Sequence, residues 1–185
     1  MVYAKAAIDA ASPEWKRYEF TLELQRGQVA RLEPADFAIS AAGGARVLID
    51  QAFLWPSDQV SGMDPDMIAL AKGLRTPILR YGGNFTSAYH WRDGMGPMDK
   101  RVSMLNLAWG MPEYNHFGTD ELLEFTRLIG AEPQIAVNLG TGTPQEAAEW
   151  VEYVNRKWNG GRGGLWWELG NELWGDFQVG YPTLG

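Results

Sequence analysis

The sequence predicts an α/β protein in which part of a (β/α) barrel follows the end of a β-sandwich. The first third of the chain alternates polar and apolar residues with the period of two that is typical of strands. From residue 62 onward, segments with helical periodicity alternate with short apolar strands, as in repeated βα units. Polar residues follow three of these strands, and (β/α) barrels carry their functional groups at such strand ends.

Residues 1–57 are predicted to form the closing strands of the β-sandwich. Residues 18–24 alternate in polarity, and residues 45–54 form a second strand pattern after the Gly43-Gly44 turn. Residues 28–32 are a weaker candidate. Because a sheet needs more strands than these to close a core, we expect the earlier strands of the sandwich to be missing from this chain.

The barrel part is expected to span residues 62–185, after a Pro- and Gly-containing linker. Asp64 suits the N-cap of a helix and Pro65 its first position, so a helix is predicted through about residue 74. A second helix is predicted from an apolar stripe that ends at Gly130. A third helix should open at the capping box of residues 143–146.

Strands are predicted between these helices, at residues 78–80, 133–138 and 165–169. The alternating order implies parallel pairing with right-handed crossovers. The Gly-rich turn at residues 140–142 lacks the third glycine of a dinucleotide-binding loop, which disfavours that fold. The long polar and aromatic connection at residues 84–117 predicts a functional loop.

Composition excludes several partners and cofactors. The formal net charge of -7 argues against a nucleic-acid partner. No stretch reaches the roughly 20 apolar residues that span a bilayer, so no membrane partner is predicted. The chain has no cysteine and only His90 and His116, so we predict neither a metal site nor a cofactor. Its start does not resemble a signal peptide, and the compartment stays open.

Glu172 is the strongest candidate for chemistry. It follows an apolar strand in a tryptophan-rich segment, where partial burial would raise its pKa and keep it protonated as a catalytic acid. Glycoside hydrolysis usually needs such an acid and a second carboxylate. The dipeptide of Asn171 and Glu172 alone is equally compatible with a structural strand end. The 9 tryptophans either fill the core or stack on sugar rings.

Several ordered motifs resemble the family 51 glycoside hydrolases, which are mainly α-L-arabinofuranosidases with some endoglucanases. The motifs are Leu79-Arg80-Tyr81-Gly82-Gly83-Asn84-Phe85, Tyr89-His90-Trp91-Arg92-Asp93-Gly94, Leu107-Ala108-Trp109, Gly118-Thr119-Asp120-Glu121-Leu122, Ala136-Val137-Asn138-Leu139-Gly140-Thr141 and Gly170-Asn171-Glu172. The resemblance implies a retaining enzyme on a (β/α)8 TIM-type barrel, with about strands 2 to 4 present here. It also implies an arabinose-containing oligosaccharide or polysaccharide as partner.

The resemblance suggests roles for six residues. Glu172 would be the general acid/base at the end of the fourth strand, and Asn171 would donate to the sugar 2-hydroxyl. Arg80 would shape the pocket and orient a carboxylate, or form only a structural ion pair. Asn84 would bind arabinose hydroxyls, and Trp109 would line the pocket wall. Asn138 would orient Glu172 or tie a loop.

Two departures from the family pattern concern substrate choice. Tyr81 meets Gly82 directly, where many members have an intervening proline, so the loop that carries Asn84 could be shifted. Phe177 stands where tryptophan is common. At the start of the chain, residues 15–22 resemble the closing strands of carbohydrate-binding sandwiches.

The family's nucleophile, a glutamate after the seventh strand, is expected beyond residue 185. Residues 62–185 are also too few for a complete barrel, which needs about 200 residues or more. We therefore expect a fragment that hydrolyses nothing alone. Two alternatives stay open: an endoglucanase or xylanase on the same barrel, and a non-catalytic carbohydrate-binding protein. The sequence also leaves open whether the full-length enzyme is homo-oligomeric.

Overall fold

The computed structural model describes residues 1–30, 33–159 and 165–181, except for the side chain of Asn159. The chain divides into two compact units, Met1–Leu54 and Trp55–Gly185. No helix in the described part of the chain is long and apolar enough to cross a membrane.

The first unit contains no hydrogen-bonded strand within residues 1–30 and 33–54, so the strands predicted at residues 18–24 and 45–54 are not formed. The strand predicted at residues 28–32 lies partly outside the described residues. None of the described side chains in this unit is buried. Strands need a continuous hydrogen-bonded ladder to a neighbouring strand and a covered apolar face, and neither forms in the described part of these segments. The sandwich assignment for residues 1–57 stays a prediction.

The second unit contains every helix and strand of the described chain. Its helices are α1 (Pro65–Gly73), α2 (Thr119–Ile129) and α3 (Pro144–Asn159), and its strands are β1 (Ile78–Tyr81), β2 (Met104–Asn106), β3 (Met111–Glu113), β4 (Glu132–Val137) and β5 (Trp166–Leu169). The three helices and the three predicted strands therefore form within one or two residues of their predicted bounds.

The helix ends explain this agreement, because their caps depend on local chemistry. The Asp64 carboxylate accepts a hydrogen bond from the Asp66 amide at 2.8 Å, as expected for an N-cap. The Thr143 hydroxyl accepts one from the Glu146 amide at 3.1 Å at the start of α3. Gly130 ends α2 in the left-handed conformation with φ 78°, which glycine adopts without strain.

β1, β4 and β5 form a parallel sheet in that order, which confirms the α/β fold. Neighbours in the sheet are consecutive among the parallel strands, as they are in a barrel wall. Residues 84–117, predicted as one long connection, contain three short 3-10 turns and the antiparallel β2–β3 hairpin. Both hairpin strands have only three residues, which is too short for a period to be visible in the sequence.

The core lies between one face of this sheet and helices α2 and α3. Ile135 and Val137 of β4 pack with two leucines of α2 and with Trp150 and Val154 of α3. Trp150 is 2% exposed, and its ring stacks on that of Trp91 with centroids 6.2 Å apart. The helices therefore cover the apolar face of the sheet, and its polar side chains lie on the opposite face.

Candidate active site

Parallel strands end at one edge, so the residues that follow β1, β4 and β5 are brought together there. Asn84 directly follows Gly82 and Gly83, Asn138 directly follows β4, and Asn171 and Glu172 follow β5. Gly82 is required where it stands, since a Cβ there would lie 3.0 Å from both the Ala136 Cβ and the Arg80 guanidinium carbon.

Arg80 forms an ion pair with Glu168 across the polar face of the sheet. The Arg80 Nε donates to both Glu168 oxygens at 2.9 Å, and its Nη2 donates to Oε2 at 2.6 Å. Gln134 also donates to Oε1 of this carboxylate. The Arg80 guanidinium lowers the pKa of Glu168, and the Glu168 carboxylate raises the pKa of Arg80. Arg80 is therefore paired with a carboxylate, which agrees with both predicted alternatives, and the sequence did not single out Glu168 as its partner.

The Glu168→Gln variant tests this ion pair through the pH dependence of stability. The folded-state pKa of Glu168 is lowered from its ordinary value of 4.5, so the pair stabilises the fold above pH 4.5. This stabilisation is lost as the pH falls through the lowered pKa. Arg80 is 43% exposed, so solvent screening limits the effect to about 1 kcal/mol or less. We expect urea denaturation to show the wild type more stable at neutral pH, with a difference that shrinks below pH 4.5. A difference that is constant across this range would contradict the assignment.

Asn171 connects this ion pair to the loop after β1. The Arg80 Nη2 donates to the Asn171 Oδ1 at 3.0 Å, and the Asn171 Nδ2 donates to the Asn84 Oδ1 at 3.2 Å. The Asn171 backbone is fixed as well, because the Tyr181 hydroxyl accepts from its amide and donates to its carbonyl, both at 3.0 Å. Asn171 is 6% exposed, so its amide is a preorganised group rather than a mobile one.

Glu172 is exposed at this edge, and its backbone has the left-handed φ of 48°. The burial among tryptophans that the sequence predicted is therefore wrong. Trp166 donates instead to Glu132 at the opposite edge of the sheet, and the Trp167 ring lies against Trp150 in the core. Successive side chains along β5 point to opposite faces of the sheet, so Trp167 faces the core, while Trp166 lies at the amino end of the strand. Trp174 contacts Phe177 but is itself exposed.

Gln178 is a site residue that the sequence did not reveal. Its Nε2 donates to the Glu172 Oε2 at 3.2 Å and to the Asn84 Oδ1 at 3.1 Å. Gln178 is 4% exposed, which is unusual for a glutamine outside any helix or strand. No periodicity marks such a residue, because its position depends on how the loop after β5 folds back.

Trp109 and Asn138 lie at the margin of the site. Trp109 occupies the tip of the β2–β3 hairpin and is 56% exposed, with its ring centroid 6.3 Å from that of Phe85. Phe85 follows Asn84, so Trp109 lies beside the loop that carries this asparagine. Asn138 accepts from the amides of Gly140 and Thr141, both at 2.9 Å, and therefore ties the loop after β4.

The residues predicted from the sequence thus meet at one sheet edge, with Trp109 beside it. The fold and the site define an α/β domain with a carboxylate and buried amides at the carboxyl edge of a parallel sheet. The sequence profile described as "Alpha-L-arabinofuranosidase 1 domain" matches residues 70–181. The chain belongs to this family.

Individual relatives are similar over the same part of the chain. A probable alpha-L-arabinofuranosidase C of Aspergillus fumigatus is 44% identical over 142 residues, which cover 69% of this chain and 28% of the relative. An intracellular exo-alpha-(1->5)-L-arabinofuranosidase of Halalkalibacterium halodurans is 37% identical, with the same two coverages. The chain thus spans about 28% of the length of these curated relatives.

Solved structures show the same similarity. The alpha-L-arabinofuranosidase of Thermotoga maritima, solved as an arabinose complex, has a TM-score of 0.60 and 43% identity, and the match covers 66% of this chain and 28% of that one. The family 51 alpha-L-arabinofuranosidase of Thermotoga petrophila has a TM-score of 0.62 and 42% identity, with coverages of 70% and 30%. The resemblance to family 51 is therefore confirmed.

Proposed function

We propose that the protein is part of a retaining glycoside hydrolase that releases terminal α-L-arabinofuranosyl residues from plant-type polysaccharides. The observation that carries the proposal is the continuous hydrogen-bonded chain from Arg80 through Asn171, Asn84 and Gln178 to Glu172. It holds one carboxyl group and several amides at the edge where barrel enzymes bind substrate. The names of the relatives support arabinofuranosides as the substrate class.

In this proposal, the parallel sheet is one side of a (β/α)8 barrel. β1, β4 and β5 would be strands 2 to 4, which agrees with their consecutive order. The exposed Trp109 would form a wall against the sugar ring, since indole faces cover apolar C–H surfaces. The amides of Asn84 and Asn171 are already oriented and could bind sugar hydroxyls with little loss of side-chain entropy.

Glu172 would act twice in a retaining reaction. As an acid, it would give its proton to the glycosidic oxygen while a second carboxylate attacks the anomeric carbon and the C–O bond breaks. As a base, it would then take a proton from the water that attacks the same carbon. This step frees arabinose and restores both carboxyl groups. Exposure suits such a group, because it must reach substrate and water in turn.

The second carboxylate in this proposal lies outside residues 1–185. Glu168 is near the same edge, but Arg80 and Gln134 already donate hydrogen bonds to its two oxygens. A carboxylate held in this way is a poor nucleophile, since attack would cost those bonds. Glu168 is therefore assigned to holding Arg80 and not to bond formation.

The proposal is tested with the product of the complete gene. We expect release of arabinose from an aryl α-L-arabinofuranoside and from arabinan or arabinoxylan, with the α-anomer formed first in a proton NMR time course. Cleavage of linear xylan or β-glucan in the middle of the chain, without release of arabinose, would instead support an endo-acting enzyme. Oligosaccharide binding that Glu172→Gln leaves undiminished, together with no hydrolysis, would support a binding protein.

A further inference from the structure

We propose that Gln178 is a positioning residue that holds the Glu172 carboxylate in place after β5. The inference rests on the proposed function, because it concerns how an acid/base residue is controlled. It assigns a role to a side chain that is neither at a strand end nor exposed to substrate.

Each polar atom of the Gln178 amide has a hydrogen-bond partner. Its two N–H groups point to the Glu172 Oε2 and the Asn84 Oδ1, and its Oε1 accepts from the Ser87 hydroxyl at 3.2 Å. The reverse orientation of the amide would place its oxygen against two acceptor oxygens. The contacts therefore select one orientation, in which a donor faces the Glu172 carboxylate.

The backbone around Gln178 leaves little room for movement. Gly180 packs against the loop after β4, where a Cβ would lie 2.6 Å from the Gly140 carbonyl carbon. The Gly175 amide donates to the Glu172 carbonyl at 2.8 Å, which closes the turn between the two residues. These contacts fix the backbone around Gln178, so its side-chain amide is held with an N–H group toward the Glu172 carboxylate.

Glu172 has little other support. Among the described residues, Gln178 is the one side chain that donates a hydrogen bond to its carboxylate. The side chain is exposed and begins from a strained backbone. Because long exposed side chains sample several rotamers, a single buried donor decides which one is preferred.

Loss of the donor should leave the Glu172 carboxyl group free to occupy several rotamers, only some of which can face the leaving oxygen. Because proton transfer needs the acid within hydrogen-bond reach of that oxygen, kcat should fall while KM changes little.

Two variants of the product of the complete gene test the inference. Gln178→Leu removes the donor at similar volume, and Gln178→Glu places a second carboxyl group against Glu172. We expect kcat to fall about 10-fold or more in both. KM should change much less than kcat in both, because the substitutions act on the orientation of the acid/base rather than on sugar binding. The control Gln145→Glu makes the same change on the exposed surface of α3 and should move neither quantity.

A second readout does not depend on turnover. The ¹⁵N signals of the Gln178 side-chain amide report the contact, and their loss in Gln178→Leu identifies them. A change of these signals in Glu172→Ala, but not in Gln145→Glu, supports the inference. Unchanged signals, or a wild-type kcat in folded Gln178 variants, would overturn it. A wild type that hydrolyses no arabinofuranoside would refute the proposed function, and the NMR comparison would still decide the contact.

Discussion

Replacement of Glu172 by glutamine is expected to lower kcat for arabinan or arabinoxylan by about 10²–10⁴-fold, the range that a general acid contributes. Glutamine keeps the shape of the side chain and can still contact Gln178 and substrate. It cannot donate the proton that the leaving sugar oxygen requires. KM should therefore change much less than kcat.

The leaving group distinguishes this explanation from a loss of folding. An aryl arabinofuranoside with an acidic phenol needs little protonation, so its first step should suffer far less than that of a polysaccharide. The matched control is Glu132→Gln, which makes the same change at the amino end of β4, where Glu132 contacts Trp166. An equal loss of kcat/KM, which reports the first step, for both substrates or for both variants would contradict the role given to Glu172.

Replacement of Arg101 by alanine is expected to destabilise the fold by about 3–5 kcal/mol, because it breaks a buried ion pair. The Arg101 side chain is 3% exposed and donates to both Glu121 oxygens, at 2.7 and 2.9 Å. It also donates to the carbonyls of Gly96, Asn115 and His116. The Arg101 guanidinium thus links residues 96, 115, 116 and 121 and holds together the connection between β1 and α2, which includes Trp109.

Urea denaturation of the product of the complete gene measures this effect. Arg101→Lys should retain part of the stability, since an ammonium keeps the charge but cannot form the same fork of hydrogen bonds. Arg156→Ala is the control, because this arginine pairs with Glu152 on the exposed face of α3. It should cost about 0.5 kcal/mol or less. A small loss for Arg101→Ala would show that the connection is held by other contacts.

The parts of the fold that the sequence predicted are those controlled by neighbours in the chain. Asp64, Thr143 and Gly130 cap helices through bonds that span two to four residues, so their patterns were visible. The parallel order followed from alternating elements. The strand predictions for residues 1–54 were wrong because strands depend on distant parts of the chain. An alternating pattern forms a strand only when a partner strand is present.

The residues of the candidate site also divide into those visible in sequence motifs and those that depend on long-range contacts. Arg80, Asn84, Asn171 and Glu172 were found because they lie at strand ends within motifs. Glu168 and Gln178 were missed, since their roles depend on contacts across 88 and 94 residues with Arg80 and Asn84. The exposure of Glu172 could not be predicted from the sequence. Trp166 and Trp167 are close to it in the chain, but Trp166 contacts Glu132 at the amino ends of the strands and Trp167 packs in the core.

The left-handed backbone of Glu172 has a consequence for selection. A residue other than glycine or asparagine in this conformation costs about 1–2 kcal/mol. Glycine at position 172 should therefore relieve strain while removing the carboxyl group. In laboratory evolution, selection for heat resistance alone should favour Gly or Asn at position 172. Selection that also requires growth on the substrate should retain the glutamate. Position 172 would thus report which of the two pressures a population has experienced.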